Sequence, residues 1–267
     1  VVKPVAGSGS IATRLCADPG EVAAAASAVL DADPAALALP VQDAVIVEGY
    51  LDGDEYSVET IDTQVVGVTR KLLGAPPYFV ETGHDFPAPL PAADRAALGE
   101  ATLAALRALG LGWGAAHVEL RYGASGPRVV EVNPRLAGGM IPRIVQLATG
   151  IDMIEQVIAG AAGRAGGLRP TRDGASSIRF LVAHTAGQLL GVDGLDAARL
   201  LPAVEEVGLI RAPGETLVLR HSFQDRLGYV ITAAARVDTA ARAADGAVRT
   251  LTARIAASPS TVDIPVS

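Results

Sequence analysis

The feature that most constrains the fold is a pair of apolar segments, GAAHVEL and PRVVEV, joined by the turn sequence RYGASG. Such segments around a glycine-containing turn predict an antiparallel hairpin. With the turn centred near Ser125, Glu119 lies opposite Glu131, and both side chains point to one face. Opposed carboxylates repel each other unless a divalent cation lies between them. A one-residue slip would separate the pair, and a solvent-facing hairpin without a ligand is the alternative interpretation.

The second of these segments continues into VVEVNPRLAGGM, from Val129 to Met140. Glu131, Asn133 and Arg135 stand at every second position and therefore share one face of the strand. Carboxylate and amide oxygens suit Mg²⁺, which usually bridges to substrate phosphates. An arginine beside them supplies a fixed positive charge for a phosphoryl or carboxylate oxygen.

Composition excludes several classes of protein. The 267 residues are half hydrophobic, which is enough for a substantial core, and carry a net charge of -7. Without a block of lysines and arginines, nucleic acid is not the expected partner. A single cysteine excludes an internal disulfide. Charges or glycines interrupt every apolar run before it is long enough to span a membrane. We therefore expect a cytoplasmic protein that is not inserted in a membrane. The opening VVKPVAG is typical of the middle of a strand, so we expect a preceding portion.

The predicted elements alternate between strands and helices. We expect a strand, a glycine turn and a second strand over 1–15, and further strands over 44–51, 55–62 and 64–73. Helices are expected over 19–31 and 93–110 and from Pro142 onward. The last of these is interrupted at Gly150, and Asp152 then caps a further helix. The Pro/Gly-rich stretch 74–92 predicts a loop with little regular structure. Beyond a boundary near residue 172, we expect five short strands and a closing helix over 237–258.

Two further segments indicate nucleotide binding. Lys3 precedes a small-residue loop, Gly7, Ser8, Gly9 and Ser10, whose backbone N–H groups can approach an anion closely. The loop is neither a Walker A nor a dinucleotide fingerprint, and a glycine turn without a ligand is the alternative. The edge segment Glu48, Gly49, Tyr50 and Leu51 can offer backbone groups to a flat heterocycle, and Glu55 can bind ribose hydroxyls; an ordinary acidic hairpin is the alternative.

A basic glycine loop, an acidic edge strand and a carboxylate–amide–arginine strand, in this order, resemble the ATP-grasp superfamily over about residues 1–160. The resemblance implies an α+β fold with two subdomains around a nucleotide cleft. It implies lid and hinge over 1–60, a central subdomain over 61–172 and a mixed, β-rich C-terminal domain over 173–267. It also implies ATP with Mg²⁺ or Mn²⁺ as cofactors. The implied phosphate-binding residues are Lys3, Gly7, Ser8, Gly9 and Ser10, and the implied nucleoside-binding residues are Glu48, Gly49, Leu51 and Glu55. The implied metal ligands are Glu119, Glu131 and Asn133.

Within that superfamily, PPYFVETGHDFPAPLP and EVNPRLAGGMIP are most similar to the L-amino-acid ligases. This implies an acyl-phosphate mechanism that joins a carboxylate to an amine, with both substrates small molecules. Arg135 and His84 become catalytic candidates, and the implied substrate residues are Glu81, His84, Arg135, Gly138 and Gly139. Lys71 is either a phosphate ligand or an exposed lysine. Surfaces of small residues are consistent with a homodimer.

Two features depart from the family pattern. Family members carry an N-terminal α/β domain and a further ATP-contacting lysine before the lid, and neither is found in this sequence. Two alternatives therefore stay open beside the ligase. One is bicarbonate activation, as in biotin-dependent carboxylases, and the other is a nucleotide-binding module without catalysis.

Overall fold

The computed structural model describes residues 1–32, 41–164 and 167–256. These residues form both strands and helices in mixed order, so the predicted α+β class is confirmed. The strands are β1 (Val2–Pro4), β2 (Val45–Val47), β3 (Asp54–Ile61), β4 (Gln64–Leu73), β5 (Glu81–Phe86), β6 (Ala115–Gly123), β7 (Gly126–Asn133), β8 (Ala175–Val182), β9 (Gly187–Asp193), β10 (Val204–Leu209), β11 (Thr216–Leu217), β12 (Arg226–Ala234) and β13 (Thr252–Ala256). The helices are α1 (Pro19–Leu30), α2 (Ala92–Ala108), α3 (Ile141–Thr149), α4 (Met153–Ala161), α5 (Leu195–Arg199) and α6 (Val237–Val248).

An antiparallel eight-stranded sheet organises the described residues, in the order β10-β12-β8-β5-β4-β3-β6-β7. Two smaller sheets accompany it, β1-β2 and β11-β9-β13. The large sheet joins β5 directly to β8, so it continues across residue 172. The division of the chain at residues 60 and 172 stays a prediction.

Helices cover both faces of the large sheet. On one face, Leu98 of α2 packs with Val58 and Val118. On the other face, Ile144 of α3 packs with Ile178. Pairing places His84 between Lys71 and Ile178, so this second face carries apolar residues toward β8 and polar residues toward β3 and β6. The polar part of this face forms the candidate site.

Local signals explain several helix boundaries. Asp18 accepts a hydrogen bond from the Glu21 amide at 2.9 Å, so helix α1 begins with a side-chain cap followed by a proline. Gly150 ends α3 with φ of 78°, a conformation that glycine adopts without strain. The Asp152 side chain then accepts from the amides of Ile154 and Glu155, which starts α4. These helix positions were predicted from the sequence and are confirmed.

The largest correction concerns residues 74–92, which were expected to be a loop. Their segment Glu81–Phe86 is β5, which lies inside the large sheet between β4 and β8. The polar sequence ETGHDF and its proline-rich flanks gave no strand signal; β4 directly precedes this segment in the chain, whereas its other partner, β8, is distant in sequence. The strand exists through this tertiary pairing.

Other boundaries also differ from the expected ones. The predicted strand over residues 11–15 is reduced to an isolated bridge at Arg14, and the strand over 44–51 to β2. The predicted closing helix ends at Val248, because Thr252–Ala256 pairs with β9 instead; its last residues, 257–258, lie outside the described residues. The short helix α5 was not predicted.

Among the described residues, none of the helices taken singly is long and apolar enough to cross a membrane. Helices α3 and α4 would be long and apolar enough only if they were taken together, and the chain bends by 101° between them.

Candidate active site

A cavity of about 630 Å³ lies between the glycine loop, the segment after β2 and the polar face of the large sheet. Three separate parts of the chain therefore face one another across it, and whether they bind a nucleotide stays a prediction. Its wall includes these residues: Lys3, Gly7, Ser8, Gly9 and Ser10 from the first segment, Glu48, Gly49, Tyr50 and Leu51 from the second, and Glu55, Glu81, Glu119, Arg121 and Glu131 from the sheet.

The glycine loop and the segment after β2 are held by specific contacts. The Lys3 ammonium forms an ion pair with Glu48 at 2.7 Å, so its charge is already engaged. Gly9 has φ of 62°, and a Cβ there would lie 2.2 Å from the Phe223 ring. The loop therefore packs tightly against a residue from the C-terminal part of the chain, and the glycine is needed for this contact.

Glu55 is an ion-paired residue at the base of the cavity. Strand pairing places it opposite Lys71 on one side and Arg121 on the other. Its two oxygens lie 2.8 Å from the Lys71 ammonium and 3.0 Å from Nε of Arg121. The Arg121 guanidinium also lies over the rings of Tyr50 and Phe79, at 5.5 and 5.7 Å. This group of side chains is available to a nucleoside at the cavity wall.

Lys71 is buried among three carboxylates rather than exposed. Its ammonium lies 2.8, 2.9 and 2.7 Å from oxygens of Glu55, Glu81 and Glu119. Burial alone lowers the pKa of Lys71, but the charges of Glu119, Glu81 and Glu55 hold that pKa well above its usual value. The exposed-lysine alternative is therefore wrong, and whether Lys71 binds phosphate stays a prediction.

Glu119 and Glu131 are directly paired across β6 and β7, as the sequence predicted. A shift of the register follows immediately, where Leu120 pairs with Val129 and leaves Val130 as the extra residue of a β-bulge. Both glutamates line the cavity, so they share a face. Burial raises the pKa of Glu119, but Lys71 and His117 outweigh this and hold it below its usual value.

The residues of the predicted metal site carry the types of ligand atom that a hard divalent cation binds. Oε1 of Glu119 contacts Lys71 and His117, while Asn133 donates to Oε1 of Glu131 at 2.6 Å. Two carboxylates and an amide oxygen are the ligand types that Mg²⁺ prefers. Over residues 1–32, 41–164 and 167–256, no cluster of three or more His, Cys, Asp and Glu side chains forms a metal-binding group. A cation here would therefore need the amide, water or substrate oxygens as further ligands.

Glu81 and His84 lie together on β5, near the predicted substrate site. The His84 ring is fully buried, and neither of its nitrogens makes a hydrogen bond among the described residues, although Nε2 lies 3.5 Å from Oε2 of Glu81. Burial lowers the pKa of His84 to about 3, which leaves the ring neutral at pH 7. A Cβ on Gly139, which has φ of 57°, would lie 2.6 Å from His84 Nε2. The predicted substrate loop therefore lies directly against this histidine.

The structure does not place every predicted residue in the cavity wall. His84, Lys71, Asn133 and Gly139 are not part of the wall, and they contact the residues that line it or one another. Arg135 is exposed, and its Nη1 donates to the carbonyl oxygen of Leu136 at 2.9 Å. Gly138 is also exposed, with open space where a Cβ would stand.

Sequence reasoning missed three residues beside the cavity: His117, Arg121 and Arg226. Arg226 donates to the carboxylate of Glu81 at 2.8 Å and lies 3.8 Å from the centre of the Phe180 ring. Burial lowers the pKa of its guanidinium, and Glu81 opposes that shift. His117 and Arg121 stand two residues on either side of Glu119, so alternation along the strand was a signal that could have found them.

Two family models match the chain. A model described as ATP-grasp domain matches residues 1–143, and one described as L-amino acid ligase C-terminal domain 2 matches residues 179–256. A solved structure, the L-amino acid ligase from Bacillus licheniformis, covers 96% of this chain and 64% of its own, with a TM-score of 0.79 and 24% identity. This likeness confirms the predicted fold.

Two curated relatives are similar in sequence. An uncharacterized protein, y4rH, from Sinorhizobium fredii is 38% identical over 88% of this chain, which corresponds to 48% of that protein. Carnosine synthase 1 from Gallus gallus is 31% identical over 61% of this chain and 18% of that protein. The chain thus spans less than half the length of these relatives. Since the ATP-grasp model covers more than half of its residues, the chain belongs to the ATP-grasp family.

Proposed function

We propose that the protein is an ATP-dependent carboxylate–amine ligase that joins amino acids through an acyl phosphate. The observation that carries this proposal is the cavity in which Lys3 and the glycine loop face Glu81, Glu119 and Glu131. The match to an L-amino acid ligase domain model, and the similarity to carnosine synthase, support amide synthesis over bicarbonate activation.

The reaction would proceed in two steps. A carboxylate oxygen of the first substrate attacks the γ-phosphorus of ATP, the bond from that phosphorus to the β,γ-bridging oxygen breaks, and ADP leaves. The amine nitrogen of the second substrate then attacks the acyl carbon, a C–N bond forms, and inorganic phosphate leaves with its oxygen. The amine proton passes to phosphate or water. Positioning and charge neutralisation carry most of such a reaction.

Glu119, Glu131 and Asn133 are the residues that would hold Mg²⁺ or Mn²⁺. Such a cation, when bound, neutralises charge on the transferred phosphoryl group. The two carboxylates lie on paired strands and face the same cavity, which supports this role. Without a cation, Lys71 supplies the nearest positive charge to Glu119.

Lys3 and the residues Gly7–Ser10 would cover the phosphates. Lys3 is paired with Glu48 at 2.7 Å, so nucleotide binding would exchange this carboxylate for a phosphate oxygen. Closing the glycine loop over the cavity would also keep water from the acyl phosphate.

Glu81, His84 and Gly139 would shape the substrate pocket. His84 is fully buried next to Glu81, which lines the cavity, so the neutral His84 ring would act on the substrate through Glu81, whose Oε2 lies 3.5 Å from its Nε2. Arg135 would stabilise the transferring phosphoryl group and then the tetrahedral oxyanion, which requires its exposed side chain to turn toward the cavity. A single cysteine cannot form an internal disulfide, which is consistent with a location in the reducing cytoplasm.

A phosphate-release screen over pairs of amino acids tests this function. Because the chain spans 48% of one relative, the complete protein that contains it is used. We expect release that requires ATP, a divalent cation and both amino acids, with a product whose mass equals that of the amide. Release that depends on bicarbonate and biotin would contradict the proposal, as would tight ATP binding without any turnover.

A further inference from the structure

Glu59 and His117 form a buried pair behind the cavity that the proposed reaction does not use. They are paired across β3 and β6, and the two residues are 0% and 4% exposed. Nδ1 of His117 lies 2.9 and 3.2 Å from the two oxygens of Glu59. A buried carboxylate is costly unless it is paired, so the two residues need each other.

The orientation of the His117 ring is fixed on both sides. Ser57 donates to Oε1 of Glu59 at 2.7 Å, which holds that carboxylate in place. With Nδ1 directed at Glu59, the ring directs Nε2 at Oε1 of Glu119, at 2.9 Å. A continuous hydrogen-bonded chain therefore runs from Ser57 through Glu59 and His117 to Glu119.

The contacts of Glu119 differ between its two oxygens. Oε1 is held by His117 and by the Lys71 ammonium, at 2.9 and 2.7 Å. Among the described residues, none forms a hydrogen bond or ion pair with Oε2 of Glu119. Since Glu119 lines the cavity, one oxygen is anchored to the protein while the other is left for a ligand.

We propose that Glu59 and His117 are positioning residues that hold Glu119 in the orientation needed to bind the catalytic divalent cation. Partners of this kind behind a metal ligand fix its geometry and affinity. Neither residue lines the cavity, so both act through Glu119. This inference rests on the proposed function, because it assumes that Glu119 is a ligand of the cation.

Manganese binding to the complete protein with a non-hydrolysable ATP analogue tests the inference, measured by electron paramagnetic resonance. In His117→Phe, the ring is kept but both hydrogen bonds are lost, and we expect an affinity about 10- to 100-fold lower. His117→Gln keeps a donor that can reach Glu119, so its loss should be smaller. Glu59→Leu removes the acceptor of Nδ1 of His117 and provides a second variant, with a similar expected loss, if His117→Phe does not fold.

Thr60→Val is the matched control, because Thr60 is equally buried on β3 but points to the other face. Urea unfolding of each variant reports its stability separately from its manganese affinity. Folded His117→Phe and Glu59→Leu proteins with unchanged manganese affinity would overturn the inference, even if both are less stable.

The variant Glu119→Gln separates this inference from the proposed function. A wild-type protein that binds manganese, with loss in Glu119→Gln but not in His117→Phe, overturns the positioning role alone. Equal binding by wild type and Glu119→Gln, or no binding by wild type, overturns the metal assignment and the inference with it. A graded loss from wild type to His117→Gln to His117→Phe supports both.

Discussion

Glu119 pairs directly with Glu131 across the hairpin of β6 and β7, and both side chains line the same cavity. Two like charges at paired positions would destabilise the hairpin in isolation. Lys71 and His117 contact Glu119, and Asn133 contacts Glu131, so the protein supplies donors to both. This arrangement supports the proposed site for a cation and a polyphosphate.

The substitution Glu131→Gln should abolish product formation by the complete protein. It removes one negative charge from the cation site without changing the size of the side chain. Turnover should fall at least about 100-fold, which corresponds to an activation barrier raised by ~2.7 kcal/mol. Turnover measured by phosphate release checks this. Glu206→Gln is the control, because Glu206 pairs with Arg143 at 2.6 Å and does not line the cavity. Near-normal turnover in Glu131→Gln would refute the role of this residue.

Arg135→Ala should separate activity from stability. Because Arg135 is exposed, the free energy of unfolding should change by less than ~0.5 kcal/mol, while turnover should fall about 100-fold or more. Arg128→Ala on the same hairpin provides an exposed arginine for comparison. Equal activities of the two variants would remove Arg135 from the catalytic residues.

Lys71→Met should destabilise the fold by about 3–5 kcal/mol at pH 7, because it leaves three carboxylates without their shared cation. In wild type, Glu81 and Glu119 have lowered pKa values, so the stability they contribute above pH 4.5 is lost as pH falls below it. In the variant, the same buried carboxylates take up protons more readily when folded, so its stability should rise from pH 7 to pH 5.

Urea unfolding at several pH values measures this difference. Arg70→Met is the matched control, because Arg70 is the neighbouring residue on β4 and its pair with Asp54 is 35% and 58% exposed. Exposed pairs contribute roughly 0–1 kcal/mol, so that variant should remain close to wild type. A Lys71→Met protein as stable as Arg70→Met would contradict the buried network.

The two buried histidines should carry opposite protonation states at pH 7. Burial lowers the pKa of His117, but Glu59 and Glu119 outweigh this and raise it to about 10, whereas burial lowers the pKa of His84 to about 3. His117 thus adds stability below pH 6.5 that is lost as pH rises toward 10, and His84 costs stability as pH falls below 6.5. Ring ¹⁵N chemical shifts, assigned with His84→Gln and His117→Gln, distinguish a charged ring from a neutral one. Two neutral rings at pH 7 would contradict the assignment.

Gly139→Ala should impair the protein, whereas Gly138→Ala should be tolerated. Gly139 has φ of 57° and no room for a Cβ beside His84, while Gly138 has open space. The left-handed conformation alone costs an alanine ~1–2 kcal/mol, and displacement of His84 adds to it. Thermal unfolding measures the loss of stability, and the KM for the amino-acid substrates measures the displacement of His84. A Gly139→Ala variant indistinguishable from Gly138→Ala would show that the loop yields easily.

Some parts of this site follow from sequence, and others do not. The pairing of Glu119 with Glu131 was predicted from a turn centred near Ser125, but Gly123 pairs with Gly126, and the predicted pair forms because the β-bulge at Val130 shifts the register by one residue. The contact of His117 with Glu59 was not predicted, because those residues are 58 positions apart and meet only through the pairing of β3 with β6. Strand β5 was missed for a different reason, since its polar sequence gives no periodic signal.

The pairing of β5 with β8 has a consequence for how such proteins can be recombined. Residues Gly83–Phe86 share a ladder with Ser176–Arg179. The first segment lies within the ATP-grasp model, which ends at residue 143, whereas the second model begins at Arg179, the last residue of the other segment. A chimera that takes its C-terminal part from a relative inherits a foreign neighbour for the strand that carries Glu81 and His84. Exchange of that part would therefore shift these two side chains unless the graft reproduces the ladder, even though the crossover point lies far from either residue in the chain.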